Sequence, residues 1–253
     1  MPDVKIKAEK LDYASSEAYK ALRTNLMFCG DDKKTIVLTS CTPNEGKSTV
    51  SLYLAMSLAE AGKRVLLVDT DMRKSVLVGN FSISKEIKGL SHFLSGQTFL
   101  KDVICSTNVN NLDIIFAGPV PPNPAELLED SLFSILLRYS RSNYDYVLVD
   151  SPPLGSVIDS AIIAKKCDGA VIVIEAEAIS YRFVKEVKNQ LDKSNCPVLG
   201  AILNKVDLKE QKYYDYYYGR KRGDYYGKYY GYGSYGNIDE EDDRKKGRKR
   251  KKR

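Results

Sequence analysis

Runs of consecutive apolar residues recur along the chain and alternate with segments of helical period. The apolar runs predict strands at 35–40, 64–69, 112–117, 145–150, 169–175 and 197–204. Helical spacing predicts helices at 48–61, 125–141, 157–166 and 179–193. Continuously apolar strands are buried on both faces, which is typical of parallel sheets covered by helices. The pattern therefore predicts an α/β fold with a parallel sheet flanked by helices and with ligands bound at the carboxyl ends of the strands.

Two segments lie outside this alternation. An additional amphipathic helix is predicted at about 15–28, before the first strand, and it has no sheet partner assigned to it. After Leu208 the periodicity stops and the composition changes to tyrosine, glycine and charge. A chain of 253 residues with 43% hydrophobic content can bury one sizeable core. We therefore predict one folded domain at 1–207 and a flexible, disordered tail at 208–253.

The formal charge of +6 is concentrated in that tail. Residues 208–253 hold 15 of the 39 Lys/Arg and 8 of the 33 Asp/Glu, a net charge of +7, which leaves −1 for residues 1–207. The chain ends in RKKGRKRKKR, after an acidic run at 239–243. Dense blocks of like charge are usually solvated. A solubilising role and contact with the anionic inner face of a membrane both stay open, and nucleic acid is not expected as a partner.

Cysteine usage and hydropathy indicate the compartment. The five cysteines are scattered without a CxxC pair, and the chain has one histidine, so a disulfide framework and a zinc site are both disfavoured. The first residues lack an apolar signal core, and no run approaches the ~20 apolar residues of a membrane-spanning helix. These features predict a protein of the reducing cytoplasm whose membrane association is peripheral.

A candidate phosphate loop lies at residues 41–49, between the strand at 35–40 and the helix at 48–61. Gly46, Lys47 and Ser48 in this context are typical of a P-loop. Backbone N–H groups would hold phosphate oxygens, Lys47 would reach the β- and γ-phosphates, and the Ser48 hydroxyl would bind Mg²⁺. Cys41 stands where the GxxxxGK[ST] pattern has its first glycine. The predicted nucleotide-binding residues are Pro43, Asn44, Glu45, Gly46, Lys47, Ser48 and Thr49.

Three acidic residues follow two of the apolar runs. VLLVDTDMR places Asp69 and Asp71 two residues apart, and YVLVDSPP contains Asp150. Carboxyl ends of neighbouring parallel strands meet at one crevice, where a magnesium ion needs oxygen ligands. Any one of these acids could instead cap a helix or form a turn. Three of them beside a phosphate loop predict a site.

Tyrosines are clustered in the tail. Eleven of the eighteen lie in a stretch punctuated by Gly, Lys and Asp that cannot form a packed core, and beside a phosphate loop they are candidate phosphoryl acceptors. Stacking on single-stranded nucleic acid and simple low complexity are the alternatives. The candidate acceptors are Tyr213, Tyr214, Tyr216, Tyr217, Tyr218, Tyr225, Tyr226, Tyr229, Tyr230, Tyr232 and Tyr235.

Several segments together resemble one protein family. CTPNEGKST, VLLVDTDMR and VLVDSPP look like the Walker A, second aspartate and Walker B motifs of the bacterial tyrosine kinases of capsule and exopolysaccharide synthesis. GLSHFLSG and GPVPPNPAELLED are similar to segments of the same family, and the resemblance spans about 15–204. HRD, DFG and VAIK motifs of eukaryotic-type kinases are absent. The resemblance implies an autophosphorylating tyrosine kinase that uses ATP and Mg²⁺ and regulates capsule or exopolysaccharide synthesis and export.

The resemblance also implies roles for the site residues. Asp69 is the candidate base for the tyrosine proton, which matters because a phenol of pKa ~10 is mostly protonated at neutral pH. An exchange of roles between Asp69 and Asp71 stays open, since the sequence fixes their spacing but not their direction. Arg73 either adds positive charge near the phosphates or forms a surface ion pair. The implied catalytic residues are Lys47, Asp69, Asp71 and Asp150, and the implied metal ligands, direct or through water, are Ser48, Asp71 and Asp150.

The predicted N-terminal helix carries a candidate assembly motif. Glu17, Lys20 and Arg23 resemble the family's Glu-x-x-Arg-x-x-Arg motif, with Lys20 in place of the first arginine. Spacing of three puts these charges on one helical face, which is either solvated or in contact with a neighbouring subunit. The resemblance implies a ring-like homo-oligomer when unphosphorylated, a separate transmembrane activator of the polysaccharide chain-length family, a cognate tyrosine phosphatase, and a location at the inner face of the cell membrane through that activator.

A partitioning or positioning ATPase is the main alternative from another class, since it shares the P-loop fold. Those proteins have a KGGxGKT loop, and Thr42 stands here at the position of its signature lysine. The tyrosine-rich tail also has no obvious use in such an ATPase. A catalytically idle scaffold is disfavoured because Lys47 and the carboxylates are all present.

Overall fold

The structure is a computed structural model that describes residues 2–7, 9–83 and 86–207. Over these residues, nine strands form one sheet with helices on both faces. The strands are β1 Asp3–Ile6, β2 Thr35–Ser40, β3 Val65–Asp69, β4 Phe81–Ser82, β5 Cys105–Thr107, β6 Leu112–Ile115, β7 Tyr146–Asp150, β8 Gly169–Glu175 and β9 Val198–Asn204. The helices are α1 Tyr13–Met27, α2 Lys47–Glu60, α3 Leu90–Leu94, α4 Leu100–Val103, α5 Pro124–Glu129, α6 Ser131–Asn143, α7 Asp159–Ala164 and α8 Tyr181–Lys193, with a 3₁₀ helix at Leu77–Asn80.

The strands lie in the order β4-β1-β5-β6-β3-β7-β2-β8-β9. All neighbours from β6 to β9 are parallel, so the predicted fold class is confirmed and all six predicted strands are present. At the other edge β5 is antiparallel to β6, and β4 is antiparallel to β1. The prediction missed β1, β4 and β5 because strands of two to four residues are too short to give a continuous apolar run.

Successive residues of the central strands contribute to two different cores. Val37 packs on the side of α5, α6, α7 and α8, whereas Ile36 and Leu38 pack on the side of α1 and α2. All three side chains are fully buried. Because both faces are covered, the strand is apolar at every such position rather than at alternate ones.

The single helix predicted at 125–141 is wrong, because the structure has two helices there. Asp130 ends α5 and starts α6, where its Oδ1 accepts a hydrogen bond from Leu132 N at 2.9 Å. A carboxylate in this position satisfies an N–H group that has no partner inside the helix. The side chain of Asp130 therefore fixes a new helix start inside a continuous apolar period.

Helix α1, predicted at about 15–28, lies against α2. Arg23 Nη1 donates to Ser57 O at 2.9 Å, and the rings of Tyr19 and Tyr53 have centroids 5.3 Å apart. Asp12 caps the helix by accepting from Ser15 N at 2.7 Å. The helix that the sequence left without a partner thus packs on the helix that follows the phosphate loop.

Some predictions fall beyond these residues. The eleven candidate acceptor tyrosines and the charged C-terminal segment lie outside the described residues, so the division of the chain at 207/208 stays a prediction. Among the helices that the structure describes, none has the length and apolar content needed to cross a membrane.

Gly89 and Gly118 bring two backbone segments into close contact. A Cβ on Gly89 would lie 2.4 Å from Gly118 Cα and 2.7 Å from Phe116 O. The same crossing is held by a hydrogen bond of 2.7 Å from Leu90 N to Phe116 O. The two segments that support the family resemblance, GLSHFLSG and GPVPPNPAELLED, therefore meet here.

Gly89→Ala is expected to lower the free energy of unfolding by about 1–3 kcal/mol, because the added methyl group cannot fit without moving backbone. Urea denaturation would measure the loss. The matched control is Gly200→Ala, where a Cβ meets nothing within 4 Å, and there we expect a change within about 0.5 kcal/mol. Equal losses in the two variants would contradict the steric explanation.

Candidate active site

Three strands bring their carboxyl ends to one place. β7 lies between β3 and β2 in the sheet, and Asp69 and Asp150 are direct register partners. The phosphate loop leaves the adjacent end of β2. The predicted meeting of the strand-end acids beside the loop is therefore what the topology produces.

The phosphate loop turns through two left-handed residues before α2. Asn44 has φ 69° and Gly46 has φ 84°, and Gly46 is the residue directly before the helix. Of the predicted binding residues, Pro43 and Asn44 are exposed in the loop, Ser48 is half-buried, and Thr49 is exposed in the first turn of α2. The first N–H groups of the 14-residue helix α2 thus lie at the carboxyl ends of the central strands, a position that suits an anionic ligand.

Lys47 is buried between the loop and β7. Its Nζ donates to Asp150 Oδ1 at 2.7 Å and to Ser48 Oγ at 3.1 Å, and the side chains of Lys47 and Asp150 are 7% and 1% exposed. Ser51 Oγ donates to the same Asp150 oxygen at 2.9 Å. The sequence analysis missed Ser51, although its position four residues after Lys47 on one helix face could have indicated it.

Asp69 is fully buried at the end of β3. One carboxylate oxygen accepts from the Ser75 hydroxyl, and Oδ1 accepts from Asp71 N at 3.1 Å. Burial first, and the charge of Asp150 second, raise the pKa of Asp69 to about 7, against the lowering effects of Ser75 and Lys47. A carboxylate with a pKa near neutrality suits a general base. The contribution of Ser75 was not predicted.

Asp71 and Arg73 lie on the turn after β3. Asp71 Oδ1 accepts from Lys74 N at 2.9 Å and from Arg73 N at 3.3 Å, as in an Asx turn. Arg73 forms a bidentate ion pair with Asp159, with Nε–Oδ2 2.7 Å and Nη2–Oδ1 3.0 Å. Asp159 is 1% exposed, so this pair joins the turn to the start of α7. From the sequence, Arg73 is either a positive charge near the phosphates or part of a surface ion pair. The structure shows an ion pair, and its carboxylate, Asp159, is buried.

Cys41 occupies the position of the missing loop glycine without straining the turn. Its side chain is fully buried in the core, and this burial raises the pKa of the thiol to about 11. Close backbone approach occurs instead at Gly155, where a Cβ would lie 2.2 Å from Cys41 O. A glycine from the loop after β7 therefore makes the room.

The predicted assembly residues lie on α1, away from the strand-end acids in sequence. Lys20 Nζ pairs with Glu17 Oε1 at 2.7 Å within the helix, and both side chains are about half exposed. Arg23 is engaged with Ser57 of α2. The role of these three residues in assembly stays a prediction.

Metal ligation by protein atoms alone is not indicated. Within the described ranges, no three His, Cys, Asp or Glu side chains cluster closely enough to hold a metal ion. Mg²⁺ in phosphoryl-transfer sites typically takes one or two carboxylates and completes its shell with phosphate oxygens and water. Ser48 and the acids around Asp150 supply only oxygen donors, which fits that ion.

Fold and site together define a nucleotide-binding protein of the P-loop class. The AAA domain family matches residues 33–196, which include the phosphate loop and all three acids.

Comparison with individual proteins narrows this class. Tyrosine-protein kinase CpsD of Streptococcus agalactiae is 44% identical over 208 residues, covering 82% of this chain and 91% of that protein. The crystal structure of the chimerical protein CapA2B2 matches with a TM-score of 0.74 at 33% identity, over 80% of this chain and 92% of that one. The kinase domain of Escherichia coli tyrosine kinase ETK matches with a TM-score of 0.73 at 33% identity, over 76% of this chain and 75% of that one. The chain belongs to the bacterial tyrosine kinases of capsule and exopolysaccharide synthesis, and it is an ATP-dependent protein-tyrosine kinase.

The partitioning and positioning ATPases share this fold, but they match this chain less well than the tyrosine kinases do. The septum site-determining protein MinD of Pyrococcus horikoshii, complexed with Mg-ADP, has a TM-score of 0.58 at 26% identity, over 67% of this chain and 69% of that one. The kinases match over more of the chain and at higher identity. The comparisons therefore support the kinase over the ATPase.

Proposed function

We propose that this kinase transfers the γ-phosphoryl group of MgATP to tyrosines of its own C-terminal segment, and that this modification regulates capsule or exopolysaccharide synthesis and export. The observation that carries the proposal is the buried Lys47–Asp150 pair at the start of α2, with Asp69 beside it. The eleven tyrosines between 213 and 235 supply acceptors within the same chain.

The phosphate loop and Lys47 bind the triphosphate in this proposal. N–H groups at the start of α2 donate to phosphate oxygens, and the Lys47 ammonium balances charge on the transferring group. Lys47 already lies within hydrogen-bond distance of Ser48 and Asp150. Loop, helix start and strand end therefore converge on one cation that can reach a phosphate.

Ser48, Asp71 and Asp150 would hold Mg²⁺, directly or through water. When bound, the ion would neutralise charge on the β- and γ-phosphate oxygens. The half-buried Ser48 hydroxyl lies beside Lys47 Nζ, and Asp150 is fixed by Ser51. Hydrogen bonds thus hold the Ser48 and Asp150 oxygens beside the Lys47 ammonium.

Asp69 accepts the proton of the tyrosine hydroxyl. The phenol oxygen then bonds to the γ-phosphorus while the bond from that phosphorus to the β–γ bridging oxygen breaks, and ADP leaves. The raised pKa of Asp69 supports this assignment, because such a carboxylate takes up a proton near neutral pH. Asp71 is the rival base, since it is partly exposed and lies two residues away.

Phosphate on the tail reverses its charge. Each phosphotyrosine adds about −1.5 to −2, so about five modified sites outweigh the formal +7 of residues 208–253. In this scheme the unmodified, positively charged tail docks on a subunit or an anionic surface. As phosphate accumulates, the tail is repelled from that surface and the assembly loosens. The proposal also includes three partners. Subunits form a ring-like homo-oligomer through Glu17, Lys20 and Arg23. A transmembrane activator of the polysaccharide chain-length family brings the kinase to the inner face of the membrane, and a cognate tyrosine phosphatase removes the phosphate.

Replacing all eleven tail tyrosines with phenylalanine is expected to remove label from the protein after incubation with radiolabelled ATP, because the acceptor oxygens are gone. Label on an added tyrosine peptide should persist. The matched control is the pair Tyr13→Phe and Tyr181→Phe, which alters two exposed tyrosines of the described domain, 74% and 82% exposed, and should keep the label. Phosphopeptide mapping identifies the modified residues, and undiminished labelling of the tail variant would refute the proposal.

Transfer within one chain and transfer between chains are separated by a mixing experiment. Lys47→Met protein that keeps its tail is incubated with active protein that lacks residues 208–253. Label on the inactive partner would establish transfer between chains. Absence of label on the inactive partner, while intact active protein is labelled in a parallel reaction, would establish transfer within one chain.

A further inference from the structure

A buried carboxylate lies inside the phosphate loop itself. Glu45 is 1% exposed although its neighbours Pro43 and Asn44 are exposed. A negative charge in an anion-binding loop opposes its ligand, so the position of this side chain requires an explanation.

Both oxygens of Glu45 are engaged with protein. Oε1 accepts from Thr42 N and from Thr42 Oγ1, the latter at 3.0 Å, and Oε2 accepts from Glu175 N at 3.1 Å. The carboxylate therefore ties the first half of the loop to the end of β8. Three donors on a carboxylate hold it against protein rather than toward the ligand side of the loop.

The end of β9 holds the same loop by two carbonyl groups. Asn204 Nδ2 donates to Glu45 O at 2.9 Å, and Lys205 Nζ donates to Asn44 O at 2.8 Å. Lys205 Nζ also pairs with Glu175 Oε2 at 2.9 Å, which closes the network. A Cβ on Gly46 would lie 2.2 Å from Asn204 Nδ2, so the loop fits closely against this side chain.

These contacts orient backbone donors of the loop. In a trans peptide the C=O and the N–H of one unit point in opposite directions, and the structure has no cis peptide bond in the part of the chain that it describes. The carbonyls of Asn44 and Glu45 share peptide units with the N–H groups of Glu45 and Gly46. Holding the two carbonyls toward β9 therefore turns the two N–H groups away from β9, toward the ligand side of the loop.

We propose that Glu45, Asn204 and Lys205 are positioning residues that hold the phosphate loop in its anion-binding shape, with Glu175 joining them. We name these four residues the loop clamp. In this proposal, the loop clamp sets affinity for the phosphates of the nucleotide by fixing backbone donors of the loop. This inference rests on the proposed role of the loop in binding the triphosphate.

Glu45→Ala is expected to raise KM for ATP and Kd for ADP by about tenfold or more, since the loop amides lose their fixed direction and Thr42 N loses its acceptor. The turnover number at saturating ATP should fall less, because Lys47 and the acids remain. Glu45→Gln should recover part of the affinity, since its amide oxygen can accept from Thr42 while its NH₂ group cannot accept from Glu175 N. ADP titration by calorimetry and tyrosine-phosphorylation kinetics measure the two quantities.

Lys205→Met tests the same proposal without leaving a cavity in the protein interior, because the Lys205 side chain is 46% exposed. It removes the donor to Asn44 O and should raise Kd for ADP in the same direction. The control is Glu60→Ala, which removes an exposed carboxylate from the other end of α2 and should leave KM and Kd unchanged.

The outcomes separate this proposal from the proposed function. Wild-type KM and Kd in the three variants, with or without a lower melting temperature, would overturn the loop clamp while leaving the kinase mechanism intact. Tighter nucleotide binding in Glu45→Ala would also overturn it, since charge repulsion would then outweigh positioning. A Lys47→Met protein that transfers phosphate normally would instead overturn the proposed function.

Discussion

Lys47→Met protein is expected to phosphorylate tyrosine about 10²–10³-fold more slowly than the wild type, because the transferring phosphoryl group loses a positioned cation. Lys47 is buried, so its charge acts where water screens little. Its contacts with Asp150 and Ser48 fix the ammonium at the start of α2. Initial rates with radiolabelled ATP would measure the loss.

Stability requires its own control, since Lys47→Met leaves the carboxylate of Asp150 buried without its cation. Breaking a buried ion pair from one side typically costs about 3–5 kcal/mol, whereas removing both charges costs less. The double variant Lys47→Met/Asp150→Asn should therefore recover stability in urea denaturation while remaining inactive. Recovery of activity along with stability would mean that Lys47 acts on the fold rather than on the phosphate.

Asp69→Asn is expected to lower the rate of tyrosine phosphorylation by about 10²–10⁴-fold, the usual contribution of a general base. The amide keeps the size of the side chain, and its oxygen can still accept from Asp71 N, so the fold should persist. Asp71→Asn is the matched variant on the same turn. A larger loss in Asp71→Asn than in Asp69→Asn would assign the base to Asp71 and would contradict the proposed mechanism.

Asp69→Asn is also expected to change how the free energy of unfolding depends on pH in metal-free buffer. The pKa of Asp69 is raised in the folded protein from 3.8 to about 7. Between those values the folded state holds a proton that the unfolded state has released, so this group's contribution to stability is lost as pH rises from 3.8 through about 7. Asp69→Asn should remove that slope and be relatively more stable at pH above about 7. Urea denaturation across this pH range tests it, and an unchanged slope would rule out Asp69 as its source.

The centre of the fold could be predicted because burial on both faces makes a strand apolar throughout. The ends of these strands located Asp69 and Asp150, and the Gly46-Lys47-Ser48 pattern located the loop. The short edge strands could not be predicted, since β4 has two residues and β1 has alternating burial. Periodicity also could not predict where one helix ends and the next begins. Asp130 caps both α5 and α6 and so divides one apolar period into two helices.

The supporting residues of the site were harder to predict, because their partners are distant in the chain. Asn204 and Glu45 are 159 positions apart, and Arg73 and Asp159 are 86 apart. No spacing rule within one element connects such pairs, since only the order of strands in the sheet brings them together. Ser51 and Ser75 are nearer to their partners, yet serine occurs too often for its position to indicate a contact.

The packing of α1 on α2 has a mechanical consequence. Arg23 donates to the main chain of α2, and α2 begins at Lys47, the residue proposed to bind the phosphates. A neighbouring subunit that engaged Arg23 would compete for a guanidinium already bound to that helix. If the loss of this contact changes nucleotide affinity, then nucleotide binding must change subunit association by the same factor.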